Sequence, residues 1–290
     1  MVKILSIALR GCVVVLCLAV FLGFAGRVHP ALDTLSLVRP VLALLCLMCL
    51  FIPLRIGLLA MLALAAIAGL ATTAPMFLDG PQGGTLRVYS KNLWYRNPEL
   101  PALAADIRAS GADVVLLQEV SDRNRRILPD LADTFPHQHL CRPSGWSGIA
   151  VLSREPLEKT LCSFRRGLAA GRIIHEGRPV WVASIHLPWP HPYQNAAAAD
   201  ATIERLLEME GAAVVMAGDF NIFPWAASVL AMQRAGGTTL ARPVRPTFWL
   251  EGVPLLLDHV HAPGGGQVTY RPLLGSDHLG VLADVVLDAL

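Results

Sequence analysis

The stretch "VVMAGDFNIFPW" spans Val214 to Trp225. Two valines, a methionine and an alanine in succession read as a strand buried on both faces, because a half-exposed strand alternates apolar with polar residues. The run ends on Gly218, Asp219, Phe220 and Asn221. By the two-residue period of a strand, Asp219 and Asn221 share one face and Phe220 takes the other. Taken alone, such a pair reads more readily as an Asx turn capping the helix after Pro224. Its claim to chemistry depends on what else the chain places beside it.

The same pattern recurs: a short run rich in Val, Ile and Leu, then a polar residue able to do chemistry. The runs are "LRVYSKN" (86–92), "ADVVLLQEV" (112–120), "GIAVLS" (148–153), "PVWVASIHL" (179–187), "AAVVMAGDFN" (212–221), "PLLLDHVHA" (254–262) and "HLGVLADVVL" (278–287). Their length and Val content predict strands. Helical patterns cover 99–109, 122–132, 195–210 and 224–234. Strands with interspersed helices make an α/β or α+β domain.

The Gly- and Pro-rich "DGPQGG" at 79–84 is a linker, so the globular domain covers 85–290. Residues 1–78 differ in kind. They hold long apolar runs, and through Asp79 the chain has only five basic and two acidic side chains. Ile56 to Leu78 is uncharged and exceeds the roughly 20 residues that cross a bilayer as a helix. Two or three transmembrane helices are expected, at about 4–26, 35–54 and 56–78. The second of these must tolerate Arg39 and Pro40. A cleaved signal peptide is the competing reading of 1–26.

Three spans put the domain opposite the N-terminus. Lys3, Arg10 and Arg55 then mark the cytoplasmic side and Arg27 and Arg39 the other, so an integral plasma- or inner-membrane protein with an extracytoplasmic domain is expected. Beyond Asp79 the chain carries 19 Lys and Arg against 20 Asp and Glu. That near-neutral balance supplies little of the cationic surface on which non-specific nucleic-acid binding rests. Cys141 and Cys162 are the two cysteines of the domain and can pair in an oxidising compartment.

If the strand ends share one edge of the fold, Asn92, Glu119, His186, Asp219, Asn221, Asp258, Asp277 and His278 converge. That inventory meets the needs of phosphoester hydrolysis. Glu119 with Asp277 can hold a hard cation such as Mg²⁺ through oxygen atoms. Asp219 can bind and deprotonate a water. Asn221, His186 and His278 can donate to the developing charge, with Asp258 fixing the ring of His278. Each residue has a bland reading as a turn, a surface group or a satisfied core imidazole. Taken together, those readings weaken.

"LRVYSKNLWYRN", "DVVLLQEV", "GIAVLSR", "SIHL", "GDFN", "LLDHV" and "GSDHLGV" together resemble the endonuclease/exonuclease/phosphatase superfamily over about residues 85–287. The resemblance implies an α/β four-layer sandwich of two mixed β-sheets flanked by helices, and a Mg²⁺-dependent (or Mn²⁺-dependent) phosphoesterase site. By position it makes Glu119 the principal metal ligand, with Asn92 beside it and Asp277 completing the shell. Asp219 orients the water, Asn221 contacts the phosphate, His186 stabilises the transition state, and His278 pairs with Asp258. A carboxylate partner for His186 is not identifiable.

The expected function is therefore a membrane-anchored, metal-dependent phosphoesterase. Its partners are the lipid bilayer, met by the N-terminal helices, and a phosphoester substrate: a lipid head group, a small phosphoester or nucleic acid. A nuclease acting on extracytoplasmic nucleic acid is one alternative. A non-enzymatic membrane-anchored binding module that kept the fold is the other. No protein partner is evident.

Overall fold

The computed structural model describes residues 2–163, 167–209 and 211–288. In chain order its helices are α1 (Val2–Leu22), α2 (Pro30–Leu35), α3 (Arg39–Cys49), α4 (Ile56–Ala71), α5 (Leu100–Ala109), α6 (Ile127–Asp130), α7 (Asn195–Leu207) and α8 (Ala227–Gly236). Its strands are β1 (Leu86–Asn92), β2 (Val114–Val120), β3 (His137–Cys141), β4 (Gly148–Ser153), β5 (Lys159–Cys162), β6 (Leu168–His175), β7 (Arg178–His186), β8 (Ala213–Asp219), β9 (Thr239–Leu240), β10 (Phe248–Leu250), β11 (Val253–Leu255), β12 (Asp258–Ala262), β13 (Gly266–Arg271) and β14 (Gly280–Val285).

Two six-stranded sheets result, ordered β13-β14-β1-β2-β4-β3 and β5-β6-β7-β8-β12-β9. β1 with β2 and β7 with β8 are parallel pairs. The remaining ladders of the two sheets are antiparallel, so both sheets are mixed. Val88, Val114, Leu116, Val182, Val215, Ala217 and Val260 fill the space between the sheets. The outer face of the first sheet packs Tyr89, Val115 and Leu117 against Leu103 and Ile107 of α5 and Ile127 of α6. The outer face of the second packs Trp181, Ile185, Val214 and Met216 against α7 and α8. This is the expected four-layer sandwich, and it explains the continuous apolar runs. Each central strand has a core on both faces, and each fully buried Val or Leu contributes about 2 kcal/mol.

Several sequence expectations need correction. The helix expected over 122–132 shrinks to the single turn α6. Here Asn124 instead donates from Nδ2 to the carbonyls of Trp94 and Glu119, tying the chain back to the ends of β1 and β2. The run at 254–262 is two strands. β11 forms a separate hairpin with β10, and only β12 joins the sheet. Residues 79–84 run along the domain, with Gln267 Nε2 donating to Asp79 Oδ1 at 3.4 Å. Cys141 and Cys162 are joined as a disulfide between β3 and β5, edge strands of opposite sheets. Closing a loop of that length contributes about 3 kcal/mol.

The N-terminal helices form a bundle of α1, α3 and α4 around Val13, Cys17, Val20, Cys46, Leu62 and Ala65. Pro30–Cys49 and Ile56–Phe77 are long and apolar enough to cross a membrane, and α1 is a helix of 21 residues. The second stretch thus begins at Pro30, five residues before the expected 35, and ends at 49 rather than 54. Its helical path is broken at Val38, and Pro40 opens α3, where a missing N–H costs nothing.

Candidate active site

Strand parity carries the site. On β8, Val215 and Ala217 face the inter-sheet core, and Asp219 continues that face to the strand end. Phe220 falls on the other face, stacked on His259 of β12 at 4.9 Å between ring centroids. On β7, His186 follows the parity of Val180 and Val182. On β1, Asn92 follows Leu86 and Val88. On β12, Asp258 shares the face of Val260. The four side chains meet where the inter-sheet core ends.

Glu119 should by this parity point outward with Leu117. A register shift in the β2–β4 ladder between Leu117 and Val120 and a left-handed φ of 53° at Glu119 turn it toward the site instead. Gln118 stays in the inter-sheet core, donating from Nε2 to Ser184 Oγ at 2.9 Å. Left-handed backbone recurs at Trp94 (57°) and Asn221 (51°). For non-glycine residues such angles cost of order 1–3 kcal/mol, and they cluster where geometry is imposed for function. Gly218 is required beside Asp219, because a Cβ there would lie 2.0 Å from the Ile185 carbonyl oxygen.

All eight expected residues lie in one connected set. Asp219 accepts from Asn92 Nδ2 at 3.0 Å, from the Asn221 amide N–H at 2.9 Å and from Asn221 Nδ2 at 3.2 Å. His186 Nε2 sits 3.8 Å from Glu119 and 3.9 Å from Asp219. His278 Nδ1 is 2.8 Å from Asp258 Oδ2, and its Nε2 is 3.9 Å from Asp219 and 4.0 Å from Asp277. Asp219 and Asp258 are buried, whereas the Asp277 side chain is 44% exposed and marks the open side. Asp219 does make an Asx turn with Asn221, but it does not cap α8. The Asn221 Nδ2 is also committed to the Leu187 carbonyl at 2.8 Å.

Electrostatics set the site apart. Burial pushes the Asp219 carboxyl up, opposed by His278 and reinforced by Asp258. For His278, burial acts downward, but Asp258 and Asp219 carry the imidazole up to about 9. Burial also raises Glu119, against the Tyr95 N–H that Oε2 accepts at 3.0 Å and with the help of Asp277. A pocket that collects carboxylates against their preference for water is the setting for a divalent cation. The oxygen donors of Glu119, Asn92 and Asp277 suit a hard ion such as Mg²⁺ or Mn²⁺. Asp219, Asp258 and His278 also bring ligand-type atoms within 4.8 Å of one another. Their closest contact is a hydrogen bond in a buried cluster, so they read as a proton-handling group.

Supporting residues were not visible in the sequence. Asn195 donates from Nδ2 to the carbonyls of Pro188 and Phe220, clamping the loops after His186 and Asp219. Buried Lys91 donates to the carbonyls of Pro272, Leu273 and His278 and holds the loop that carries Asp277. Ser276 Oγ donates to the Asn92 carbonyl and accepts from the His278 N–H. The Ser in "GSDH" was the available signal, since a serine before Asp-His suits a tight turn.

The rim is aromatic. Phe248 lies 4.8 Å from the His278 ring and 6.0 Å from Trp189 between centroids, and Tyr95 packs against Trp94 and Trp146. Among sequences of curated proteins, none matches the chain. Among solved structures, the fold is similar to a truncated TDP2 from Caenorhabditis elegans (18% identity, TM-score 0.56, 68% of this chain and 96% of that one). It is also similar to beta toxin from Staphylococcus aureus with bound magnesium ions (16%, 0.56, 69% and 99%). A third is sphingomyelinase C from Streptomyces griseocarneus (19%, 0.52, 69% and 99%). The sequence profile of the Endonuclease/Exonuclease/phosphatase family matches residues 89–278, which include all eight site residues, and the chain belongs to that family.

Proposed function

We propose that the protein is a membrane-anchored, Mg²⁺-dependent phosphoester hydrolase acting on phosphodiesters in the head-group layer of a membrane. The observation that carries the hydrolase reading is the connected set of Glu119, Asp219, His186 and the Asp258–His278 pair at the end of the inter-sheet core. Glu119, Asn92 and Asp277 would hold the cation. When bound there, a divalent ion neutralises and polarises the phosphoryl oxygens.

The protein's own groups supply the rest. Asp219, fixed by Asn92 and Asn221, takes a proton from the attacking water as the water oxygen bonds to phosphorus and the ester P–O bond breaks, the leaving oxygen keeping the bonding pair and taking a proton from solvent. His278, kept charged by Asp258, donates from Nε2 to a phosphoryl oxygen, and His186 Nε2 serves the same charge from the other sheet position. Asn221 orients Asp219, and reaching the phosphate requires its Nδ2 to leave the Leu187 carbonyl.

Anchoring is supported by composition and exposure. Only 28% of the stretch Ile56–Phe77 is buried within the protein, whereas the core helix of a soluble domain is mostly covered, and beyond the residues that pack on the domain α3 exposes Leu44, Leu45 and Met48. Val15, Met48, Phe51 and Ile67 are exposed apolar side chains on these helices and their connection. An extracytoplasmic domain fits the charges better than the sequence alone suggested. Arg39 is buried at the domain junction and Arg27 is ion-paired with Asp200 at 2.6 Å, so neither offsets Lys3, Arg10 and Arg55 as free charge. A lipid substrate is favoured because the rim residue Phe248 packs in one cluster with Leu37 and Met76 of the N-terminal region. The near-neutral domain argues against nucleic acid.

The test is a panel assay with the full-length protein in detergent and Mg²⁺. Phospholipid in mixed micelles should be cleaved well above duplex DNA at physiological salt. The reverse preference would replace the lipid reading with the nuclease one.

A further inference from the structure

We propose that the membrane-proximal segment Pro30–Arg39 is part of the catalytic unit, with Asp33 and Arg39 as positioning residues that hold the turn following Asp219 and Asn221. This rests on the hydrolase reading of the site. The turn Ile222–Ala226 leads from Asn221 straight into α8. Ala226, the residue preceding that helix, offers no side-chain cap. The first amides of a helix lack internal partners and need an acceptor. Here the acceptor comes from far away in sequence: Asp33 Oδ1 accepts from Ala227 N at 2.6 Å and Oδ2 from Ser228 N at 3.1 Å. A carboxylate at that end also meets the positive pole of the helix.

Four further hydrogen bonds close the joint. Arg39 Nη2 donates to the Trp225 carbonyl at 2.9 Å, and its Nη1 donates to the Gly23 carbonyl at 3.2 Å. Trp225 Nε1 donates to the Ser36 carbonyl at 2.8 Å. Ser36 Oγ in turn donates to the Asp33 carbonyl at 2.6 Å. Asp33 is 4% and Arg39 2% exposed, so these are charged groups buried against the domain. Gly26 makes room for them, since a Cβ there would lie 2.4 Å from Asp33 Oδ1. Removing one member leaves buried polar groups unpaired, which costs far more than a surface contact.

The coupling to chemistry is short. Asn221 holds a left-handed backbone and contacts both oxygens of Asp219, so whatever fixes the turn on its C-terminal side fixes the water-activating carboxylate. Asn195 and the Leu257 carbonyl secure the Phe220 side. Asp33 and Arg39 secure the other.

The test compares full-length wild type, Asp33→Ala, Asp33→Asn and Arg39→Lys in detergent. Two readouts are taken: kcat and KM on bis-p-nitrophenyl phosphate with Mg²⁺, and hydrogen exchange of peptides covering 214–230. Asp33→Ala should lower kcat by about 10²-fold, the scale of a small misplacement of a reacting group. KM should change less than about twofold. Exchange should speed up across 219–228 while 214–217 stays protected. Asp33→Asn, which keeps one acceptor, and Arg39→Lys, which keeps one donor, should fall between. Faster exchange confined to 227–230 with wild-type kcat would overturn the proposal. An inactive wild type would instead sink the hydrolase reading, and the exchange pattern over 219–222 would still decide whether Asp33 holds the turn.

Discussion

Asp258 has one task that can be isolated, which is to hold and charge His278. Its Oδ2 meets His278 Nδ1 at 2.8 Å, while the backbone N–H groups of Leu257 and Asp258 are held by Thr247 Oγ1. Replacing Asp258 by Asn preserves the shape and removes the charge, whereas His278→Ala removes the donor itself. Both should lower kcat, His278→Ala by about 10²–10⁴-fold, the range for a positioned acid–base group. Equal activity of His278→Ala and wild type in a steady-state assay would remove His278 from the mechanism. Glu119 shows why not every site residue could be placed from strand parity. Its position depends on a bulge and a left-handed backbone, and neither leaves a mark in "LLQEV" beyond the polar pair itself.

At the scale of elements, β12 has two imidazoles on its outer face. His259 and His261 are buried against Phe220, and burial lowers His259 to about 4 and His261 well below its ordinary range. Both are therefore neutral in the fold but protonate near 6.5 when the chain unfolds. Their contribution is fully present above about pH 6.5 and is lost as pH falls toward 4. The thermal midpoint of the full-length protein should drop over that window. His259→Phe should flatten the drop, and an unchanged profile would contradict the burial argument. The strands that carry the site were legible because both faces are apolar and the last residue is not. β3, β5, β6 and β13 were missed because "HQHLC", "KTLC", "LAAGRIIH" and "GQVTYR" mix polar residues or glycine into short pieces without clean alternation. The helix expected after β2 failed for a related reason: Asn124 bonds the backbone of two strand ends in place of continuing a helix.

Across the whole molecule, the sequence divides cleanly at the linker, yet the structure does not. The composition shift near residue 79 separates an apolar region from a globular one, and it is real. What it hides is the joint made by Asp33, Ser36, Arg39 and Trp225, whose partners lie nearly two hundred positions apart. A single sequence has no local signal for such a contact. Arg39 looked like a charge to be tolerated in a membrane span, and it is a buried donor to the domain. Trp225 of that joint also belongs to the apolar cluster against which Leu37, Met76 and the rim residue Phe248 each pack.

The most direct test of the hydrolase reading is phosphodiester hydrolysis by the full-length protein with Mg²⁺, in parallel with the same protein in excess chelator and with Asp219→Ala. The expected result is turnover in the first sample and loss of at least about 10²-fold in the other two. Turnover that survives both chelation and the loss of Asp219 would contradict it.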